Sequence, residues 1–547
     1  MKFNKTEIVA ASLGLEHTTH FAEFPPAEVE KSVPDRFQKQ VDLYPEKIGI
    51  KTLSYELTYT EIDQFANRIT RAIIDRCGLE KGQTIGLFFG HDETIILTML
   101  GVLKAGKVSV AIDATQHPDR LRYLLTDSQP ALIVTNTQNF ALVKDLAPTA
   151  QLLNVEELNT NLTEADAVAR DDRNINLAIS PDDLACIIYT SGSTGQPKGT
   201  LYSHRCLLHL VKRYTDTLQI QPEDRMLLIS SSGHMAGMNT IFRALLNGAT
   251  VFPFDLKQQG LANLVDWLNT EKITLYNSVP TIFRQLVSHL SEQNNFPHLR
   301  ILLLGGEIVT KRDVDLFKKY FSPNCTLINN VGCTEFSCYR QYFVDQHTQI
   351  SGNILPVGYP VAGVEVLLLD NTGQEVDYNC IGEIAIDSRY LALGYWGQPD
   401  LTAAKFLLSP KGEDRRIYRT GDLGRMLPDG CLVHLGRKDA QVEIDGYRVE
   451  LVEIEMTLLE HHQIKQAAVL VGDRQSDNRQ LIAYIVIDPQ QVGSQNVVMP
   501  SLIDLQNFLK LKLPAYMVPA RIVFLDTLPL HNSGKVDLRT LSSLDQI

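Results

Sequence analysis

The chain has 547 residues, a net charge of −13 and a hydrophobic content of 44%. This length is typical of roughly three or four compact units, and the apolar content is typical of a globular protein with large buried cores. The excess of acidic residues repels phosphate backbones, which argues against a nucleic-acid-binding protein but leaves room for a local nucleotide site.

The N-terminus and the cysteines favour a cytoplasmic protein without a membrane anchor. The segment "MKFNKTEIVAASLGLEH" interrupts a short apolar run with polar residues and makes a poor signal peptide. The most apolar long run, residues 94–112, contains two lysines, whereas a membrane span needs about 20 apolar residues. None of the eight cysteines forms a C-x-x-C pair, which favours buried free thiols in a reducing compartment over a metal site.

Helical and strand-like patterns alternate in the first part of the chain. Apolar residues recur at helical spacing over 62–73, and further helices are predicted near 95–104 and 118–126. Short apolar runs predict strands at 84–89, 108–112 and 131–135. Alternating helices and strands indicate a parallel sheet that is covered on both faces.

The same alternation returns in the middle of the chain. It predicts helices near 240–247 and 261–269 and four strands, at 224–229, 249–254, 273–279 and 299–307. Two βα-rich subdomains within one large domain are the simplest interpretation.

The pattern changes twice more towards the C-terminus. Strand-like pieces at 364–370 and 382–387, separated by turns, predict a small antiparallel sheet or barrel. After residue 439 the helices near 451–461 and 501–511 and the strands at 467–471, 481–487 and 521–525 predict a compact α+β unit. The predicted fold class is therefore α/β. It has a large N-terminal domain (1–437) of two βα-rich subdomains plus a small β subdomain, and a small α+β C-terminal domain (438–547).

A loop rich in glycines and hydroxyl groups follows a strand-like run at 184–190. Its sequence, "YTSGSTGQPKGT" (189–200), offers unobstructed backbone N–H groups together with the charge of Lys198, which suits a polyphosphate. It is not a Walker A motif, because Pro197 precedes the lysine and no Ser or Thr follows it directly. A flexible linker is the alternative, but the strand in front and the lysine favour an anion site.

This loop resembles the phosphate-loop signature of the adenylate-forming superfamily, which includes acyl-CoA ligases, luciferases and the adenylation domains of nonribosomal peptide synthetases. Five further segments resemble the family's motifs and follow in the family's order. They are "NNVGCTEF" (329–336), "LALGYWGQPDLTAAKF" (391–406), "YRTGDLGRMLPDG" (418–430), "GRKDAQVEIDGYRVELVEIE" (436–455) and "LPLHNSGKVDLRTL" (528–541). The style of these motifs is nearest to that of a free-standing peptide-synthetase adenylation domain.

The resemblance implies a reaction in which a carboxylate attacks the α-phosphate of ATP and pyrophosphate leaves. It implies that Lys535 is the catalytic lysine, that Thr334 contacts the α-phosphate and that Glu335 holds Mg²⁺. Asp439 would be the hinge about which a mobile C-terminal domain rotates between two half-reactions. The residues that would contact the nucleotide are Thr190, Ser191, Gly192, Ser193, Thr194, Gly195 and Lys198 at the phosphates, Asp422 at the ribose, Arg437 at a phosphate or the ribose, and Val331 at the base.

Three positions within these motifs depart from the family's pattern. Val331 stands where an aromatic ring usually stacks on adenine, so stacking would be lost although apolar contact remains. Glu443 and Asp445 replace two basic residues next to the hinge. Because phosphopantetheine and CoA are anionic, this substitution disfavours CoA more than a carrier-bound arm.

The predicted acid pocket also departs from the pattern of amino-acid-activating domains. Met235 stands where those domains have an aspartate that pairs with the α-ammonium, and an unpaired buried ammonium is costly. His234 resembles the gate residue of acyl- and aryl-CoA ligases, although a lone histidine is equally compatible with a core position. Gly305 would leave room for a side chain or ring, and the polar members suggest a hydrogen-bonded, uncharged group. The full predicted lining is His234, Met235, Ala236, Asn239, Asn277, Leu303, Gly305, Asn330, Cys338 and Tyr339.

Three hypotheses remain open from the sequence. The first is an adenylation enzyme that passes a carboxylic acid to the phosphopantetheine thiol of a separate carrier protein in nonribosomal peptide or polyketide biosynthesis, with an amino acid still possible as substrate. The second is an acyl- or aryl-acid–CoA ligase. The third is a catalytically silent nucleotide-binding scaffold, which the joint presence of Lys198, Glu335, Asp422 and Lys535 argues against.

Overall fold

The computed structural model of the protein describes the chain in ten segments. They are residues 24–160, 173–191, 197–291, 296–438, 441–444, 447–473, 479–488, 499–513, 517–531 and 534–544.

The strands are numbered along the chain. They are β1 (Ile48–Lys51), β2 (Glu56–Thr58), β3 (Thr84–Phe89), β4 (Val108–Asp113), β5 (Leu132–Thr135), β6 (Leu152–Asn154), β7 (Leu184–Ser191), β8 (Pro197–Ser203), β9 (Arg225–Leu228), β10 (Thr250–Pro253), β11 (Leu275–Ser278), β12 (Ile301–Gly305), β13 (Thr326–Cys333), β14 (Ser337–Val344), β15 (Tyr359–Pro360), β16 (Glu365–Leu369), β17 (Ile381–Ser388), β18 (Gly394–Tyr395), β19 (Phe406–Leu408), β20 (Arg416–Met426), β21 (Leu432–Arg437), β22 (Gln441–Ile444), β23 (Tyr447–Glu450), β24 (Ile464–Asp473), β25 (Arg479–Ile487) and β26 (Arg521–Phe524).

The α-helices are numbered in the same way, after a short 3₁₀ helix at Pro26–Glu30. They are α1 (Val33–Leu43), α2 (Tyr59–Cys77), α3 (Thr94–Lys104), α4 (Pro118–Ser128), α5 (Thr137–Leu146), α6 (Glu157–Thr160), α7 (His204–Leu218), α8 (Met235–Leu245), α9 (Leu256–Thr270), α10 (Pro280–Val287), α11 (Lys311–Tyr320), α12 (Pro399–Lys405), α13 (Leu451–Leu459), α14 (Leu502–Lys510) and α15 (Leu538–Leu544).

The first sheet has seven strands in the order β18-β8-β7-β4-β3-β5-β6. Strands β3 to β7 pair in parallel, whereas β8 and β18 form an antiparallel edge. All six residues of β3 are buried, as a central strand with helices on both faces requires. Helix α2 begins at a capping box between Thr58 and Glu61 and ends at Gly78, which has a φ of +70°. The strands predicted at 84–89, 108–112 and 131–135 are confirmed.

The second sheet has nine strands in the order β15-β14-β13-β12-β11-β9-β10-β1-β2. Its centre, from β10 to β13, is parallel, and β14 returns antiparallel to β13. Successive residues of β11 and β12 face opposite sides, so Leu275 and Leu303 pack into the core beneath α7 and α8 while Tyr276 and Leu304 pack into a separate core. Side chains on one face of these strands therefore converge on α8.

The third unit is the predicted small antiparallel sheet. It runs β16-β17-β20-β19, and β21 pairs with the end of β20. This pairing sets Asp422 opposite Arg437.

The C-terminal elements form their own unit. A two-stranded ribbon, β22 and β23, is followed by the sheet β24-β25-β26 and by helices α13 and α14. A separate hydrophobic cluster that includes Ile454, Ile485 and Leu505 fills this unit. Together with the three sheets before it, this unit confirms the predicted fold class, while the mobility of the C-terminal domain and the boundary after residue 437 stay predictions.

Three smaller expectations have an outcome in the structure. Within the described segments, no helix combines the length and apolar character that crossing a membrane requires. The eight cysteines are free thiols, but Cys380 is exposed and Cys77 and Cys333 are half-buried, so the expectation that all are buried is wrong for these three. The helix predicted near 240–247 begins earlier, at Met235.

Candidate active site

The described ends of the predicted phosphate loop belong to two paired strands. Strands β7 and β8 are antiparallel and set Thr190 opposite Lys198. The hydroxyl oxygen of Thr190 is buried and has no hydrogen-bond partner among the described residues. Four predicted phosphate ligands, Gly192, Ser193, Thr194 and Gly195, lie outside the described residues, and of Ser191 only the backbone at the end of β7 is described.

Lys198 and Glu335 form a buried ion pair. The Nζ atom of Lys198 lies 2.7 Å from Oε1 of Glu335, whose side chain is 5% exposed. The hydroxyl of Tyr395 donates to the same carboxylate oxygen at 2.7 Å and lies 3.0 Å from the lysine nitrogen. The same nitrogen lies 4.4 Å from the centre of the Tyr395 ring, where a cation–π attraction adds to the ion pair.

The charge state of this group follows from its neighbours. Burial alone would raise the pKa of Glu335, but the charge of Lys198 and the hydrogen bonds from Lys198, Tyr395 and Tyr418 outweigh burial and lower the pKa. Burial and the nearby carboxylate raise the pKa of Tyr395, so its hydroxyl stays protonated and donates. Glu335 is therefore a carboxylate at neutral pH, with one oxygen already engaged.

Thr334 and Glu335 lie in the turn between β13 and β14. The turn is tight because Gly332 lets the backbone approach closely, since a Cβ at Gly332 would lie 2.2 Å from the carbonyl oxygen of Ser337. The hydroxyl of Tyr202 donates to the carbonyl oxygen of Thr334 and holds the turn against β8. Val331, three residues before Thr334, is half-buried on β13 and packs against the large hydrophobic core.

Asp422 is held on the third sheet by a cation and an imidazole. Arg437 donates through Nη1 to Oδ1 of Asp422 at 3.0 Å, and Nε2 of His434 lies 3.7 Å from Oδ2. The carboxylate is buried, whereas Arg437 is about half-exposed. Gly421 has a φ of +79°, and a Cβ there would lie 3.1 Å from the Arg437 guanidinium, so the turn before Asp422 needs glycine.

Lys535 comes from the C-terminal unit and reaches the second sheet. A turn closed by the Leu530–Val536 bridge carries it, and its carbonyl oxygen accepts from the His531 N–H at 2.7 Å. A Cβ placed on Gly306, directly after β12, would lie 3.3 Å from Cε and 3.6 Å from Nζ of Lys535. The ammonium group therefore lies at the carboxyl end of β12, where parallel sheets commonly bind ligands.

Four of the predicted pocket residues lie at the start of α8. His234 precedes the helix, and Met235 and Ala236 begin it. Burial lowers the pKa of His234, and Arg120 and Lys535 lower it further against an opposing effect of Asp113, so the imidazole is neutral at pH 7. One turn later, Asn239 is buried and donates through Nδ2 to the hydroxyl oxygen of Ser337 at 2.9 Å.

The remaining predicted pocket residues lie on four adjacent strands. Asn277 and Leu303 are neighbours across β11 and β12, and both line a narrow cavity next to α8. Asn330 on β13 accepts hydrogen bonds from Tyr214 at 3.3 Å and Gln341 at 3.0 Å. On β14, Cys338 and Tyr339 are buried, and the hydroxyl of Tyr339 has no partner in the described part of the chain.

Gly305 does not provide the expected space for a substrate group. A Cβ at this position would lie 2.4 Å from the carbonyl oxygen of Asn330, which is the residue paired with Gly305 across β12 and β13. The glycine is therefore explained by the close approach of two strands.

Sequence reasoning missed four residues that hold the site together: Tyr202, Tyr395, Tyr418 and His434. Tyr395 and Tyr418 lie within segments that resemble family motifs, which was the available signal. The predicted hinge, Asp439, lies outside the described residues. The described segments contain no group of three or more His, Cys, Asp or Glu side chains that could hold a metal ion, so Glu335 would act as a single carboxylate ligand.

Comparison with known proteins gives two family matches. Residues 37–396 match the family described as AMP-binding enzyme, and residues 453–535 match the AMP-binding enzyme C-terminal domain. Among curated proteins, tyrocidine synthase 1 of Brevibacillus parabrevis is 31% identical over 94% of this chain and 45% of its own length. The dimodular nonribosomal peptide synthase of Bacillus subtilis is 31% identical over 94% of this chain and 21% of its own length. The chain thus spans less than half the length of these relatives.

Solved structures cover almost the whole chain. Klebsiella oxytoca NpsA in complex with 3-hydroxyanthranilyl-AMSN has a TM-score of 0.79 at 25% identity, over 94% of this chain and 99% of that one. The four-domain nonribosomal peptide synthetase AB3403, bound to AMP and glycine, has a TM-score of 0.76 at 26% identity, over 94% of this chain and 37% of that one. The anthranilate CoA ligase AuaEII has a TM-score of 0.80 at 21% identity, over 95% of this chain and 98% of that one. This likeness concerns the fold alone.

Proposed function

The chain belongs to the AMP-binding family of adenylate-forming ligases, and from that membership we propose that it activates a carboxylic acid with ATP and then transfers the acyl group to a phosphopantetheine thiol on a separate carrier protein. In the first step, a carboxylate oxygen forms a bond to the α-phosphorus of ATP. The bond from that phosphorus to the bridging oxygen breaks, and pyrophosphate leaves with the electron pair. In the second step, the thiol loses its proton to solvent and its sulfur bonds to the acyl carbon. The bond from that carbon to the phosphate oxygen breaks, and AMP leaves with the electron pair.

One observation carries the first step: the approach of Lys535 to Gly306 at the carboxyl end of β12. The two reactants are both anions, so the barrier is largely electrostatic and positional. An ammonium group at the carboxyl end of β12 would attract the acid's carboxylate and offset the charge that develops on the phosphate. This role needs no proton transfer by Lys535.

The described residues fit a nucleotide. Thr190 has a buried hydroxyl that still needs a partner, which a phosphate oxygen would supply. Asp422 is fixed by Arg437 and can accept hydrogen bonds from two ribose hydroxyls. Thr334 would contact the α-phosphate, and Val331 would contact the base by apolar packing.

The residues around Glu335 also fit Mg²⁺. In nucleotide sites this ion commonly uses one or two carboxylates together with phosphate oxygens and water, so a single ionised glutamate is sufficient. When bound, the ion would neutralise phosphate charge. Lys198 would then exchange its contact with Glu335 for a contact with the phosphates.

The relatives favour a carrier protein as the thiol acceptor. One of the curated relatives named above is a nonribosomal peptide synthase, and the chain matches only a part of it. Met235 offers no counter-charge to an α-ammonium, which favours an acid that has no free α-amino group. Rotation about Asp439 would bring the thiol to the acyl-adenylate.

Two assays separate this proposal from its rivals. Acid-dependent exchange of labelled pyrophosphate into ATP, screened over amino, hydroxy, keto, aryl and fatty acids, identifies the acid class, and exchange with ordinary L-α-amino acids alone would overturn the interpretation of Met235. Thioester formation, compared between holo-carrier proteins and free CoA, then identifies the acceptor. Saturable thioester formation with CoA and none with a carrier would establish the acid–CoA ligase instead.

A further inference from the structure

Arg243 is a buried cation with neutral partners. It lies on α8 and is 3% exposed. Its Nε atom donates to the carbonyl oxygen of Asn239 at 3.0 Å, and Nη2 donates to the hydroxyl of Thr240 at 3.1 Å. The guanidinium lies 4.5 Å from the centre of the Tyr214 ring. Among the described residues, no carboxylate lies within 4.0 Å of its nitrogen atoms.

A second buried arginine strengthens the positive charge of this region. Arg213 on α7 is also 3% exposed. It donates to the backbone carbonyl oxygens of Cys338 at 2.7 Å and Phe336 at 3.3 Å, and its Nε atom has no partner in the described chain. These contacts hold the start of β14, so Arg213 has a structural role, whereas the side-chain hydrogen bonds of Arg243 among the described residues stay within its own helix.

The place of Arg243 links it to the predicted acid pocket. Arg243 lines a narrow cavity that Thr240, Asn277 and Leu303 also line, and the last two are predicted pocket residues. Its guanidinium bends back one turn towards the start of α8, to the level of Asn239. At 1.5 Å per residue, that level is roughly 7.5 Å along the helix axis from His234, the predicted pocket residue that precedes α8.

Burying a cation without an anion is costly, and the free energy is recovered when a ligand supplies the anion. We propose that Arg243 is a specificity-determining residue that binds a second carboxylate of the substrate, so that the acid activated here is a dicarboxylic acid. This inference rests on the proposed function. The reacting carboxylate would lie at Lys535 and the second one at Arg243, and Met235 would pack against the carbon chain between them.

The separation between the two cationic groups sets the size of the acid, so the probes are diacids of graded length. Malonate, succinate, glutarate, adipate and isophthalate provide that range, and each is paired with its half-amide. The half-amide has the same size but no second charge.

The variant Arg243→Met tests the inference, because methionine keeps apolar bulk and removes the charge. For wild type, we expect kcat/KM in pyrophosphate exchange to be higher for at least one diacid than for its half-amide by roughly tenfold to a hundredfold, the range of a hydrogen bond to a charged group. Arg243→Met should abolish or reverse that ratio, and Arg243→Lys should keep part of it. Lys212→Met, which removes a partly exposed charge of α7 that pairs with Asp216, is the control and should leave the ratio unchanged.

The outcomes separate this inference from the proposed function. If wild type prefers monocarboxylic acids or half-amides over every diacid, or if Arg243→Met slows all acids equally, the inference is wrong while adenylation stands. If no acid supports exchange, calorimetric binding of the same diacids decides. Binding that Arg243→Met weakens at least tenfold would uphold the inference without the proposed reaction, and binding that is absent or unaffected by the variant would overturn it.

Discussion

The Nζ atom of Lys198 lies 2.7 Å from Oε1 of Glu335, although 137 positions separate the two residues in the sequence. The pair joins two different sheets, because Lys198 lies on β8 of the first sheet and Glu335 lies in the turn between β13 and β14 of the second. Each charge is neutralised by the other in this arrangement. On binding of ATP, Lys198 would exchange its carboxylate partner for phosphate oxygens, and Glu335 would become available to bind a cation.

Glu335→Gln should lower thermal stability in a pH-dependent way. Because the folded pKa of Glu335 is depressed, its ionised form stabilises the folded state above the ordinary glutamate pKa of 4.5, and this contribution is lost as the pH falls through the lower folded pKa. At pH 7 the variant should melt below wild type, and the difference should shrink towards pH 4. A difference in melting temperature that stays constant from pH 7 to pH 4 would contradict this assignment.

Tyr395→Phe should weaken the contacts that hold the carboxylate of Glu335 in place. The change keeps the ring and its cation–π contact but removes a donor to a buried charge, which costs about 1.5–3 kcal/mol. We expect a lower melting temperature and slower pyrophosphate exchange. Tyr378→Phe, at an exposed tyrosine, is the control and should change neither quantity. Equal effects of the two changes would mean that the Tyr395 hydroxyl has no special role.

Gly305→Ala should destabilise the second sheet. The added methyl group would lie 2.4 Å from the carbonyl oxygen of Asn330, and overpacking of this kind costs about 1–3 kcal/mol. Gly90→Ala is the matched control, because a Cβ there has no neighbour within 4 Å. Thermal melting of both variants tests the prediction, and a Gly305→Ala variant as stable as Gly90→Ala would restore the idea that this glycine leaves space in the pocket.

Eight parallel strands of the two large sheets, β3 to β5, β7 and β9 to β12, could be predicted because buried parallel strands are continuous apolar runs with helices between them. The start of α8 could not, because Gly237 lowers helix propensity. Gly237 is needed because the backbone of Ser231 approaches it closely, since a Cβ on Gly237 would lie 2.3 Å from the carbonyl oxygen of Ser231. Local sequence cannot report a contact of that kind.

The residues of the candidate site likewise divide into those that the sequence predicts and those that it does not. Lys198, Glu335, Asp422 and Lys535 could be identified because each lies in a recognisable motif. Tyr395 was missed as a partner because it donates to a carboxylate 60 positions away, and a buried tyrosine in sequence resembles any core aromatic. Arg243 was missed because a single arginine on an amphipathic helix usually points to solvent, and its burial depends on packing against other elements, among them α7 through the Tyr214 ring.

The most direct test of the account is acid-dependent ATP–pyrophosphate exchange by wild type and Lys535→Ala. Lys510→Ala, at an exposed lysine of the same C-terminal unit, is the matched control. We expect wild type and the control to exchange alike with the preferred acid, and Lys535→Ala to be slower by about a hundredfold or more, since a charge aimed at the transition state is removed. Stabilisation by ATP in thermal melting should survive the change. Exchange by Lys535→Ala at the wild-type rate would contradict the central claim.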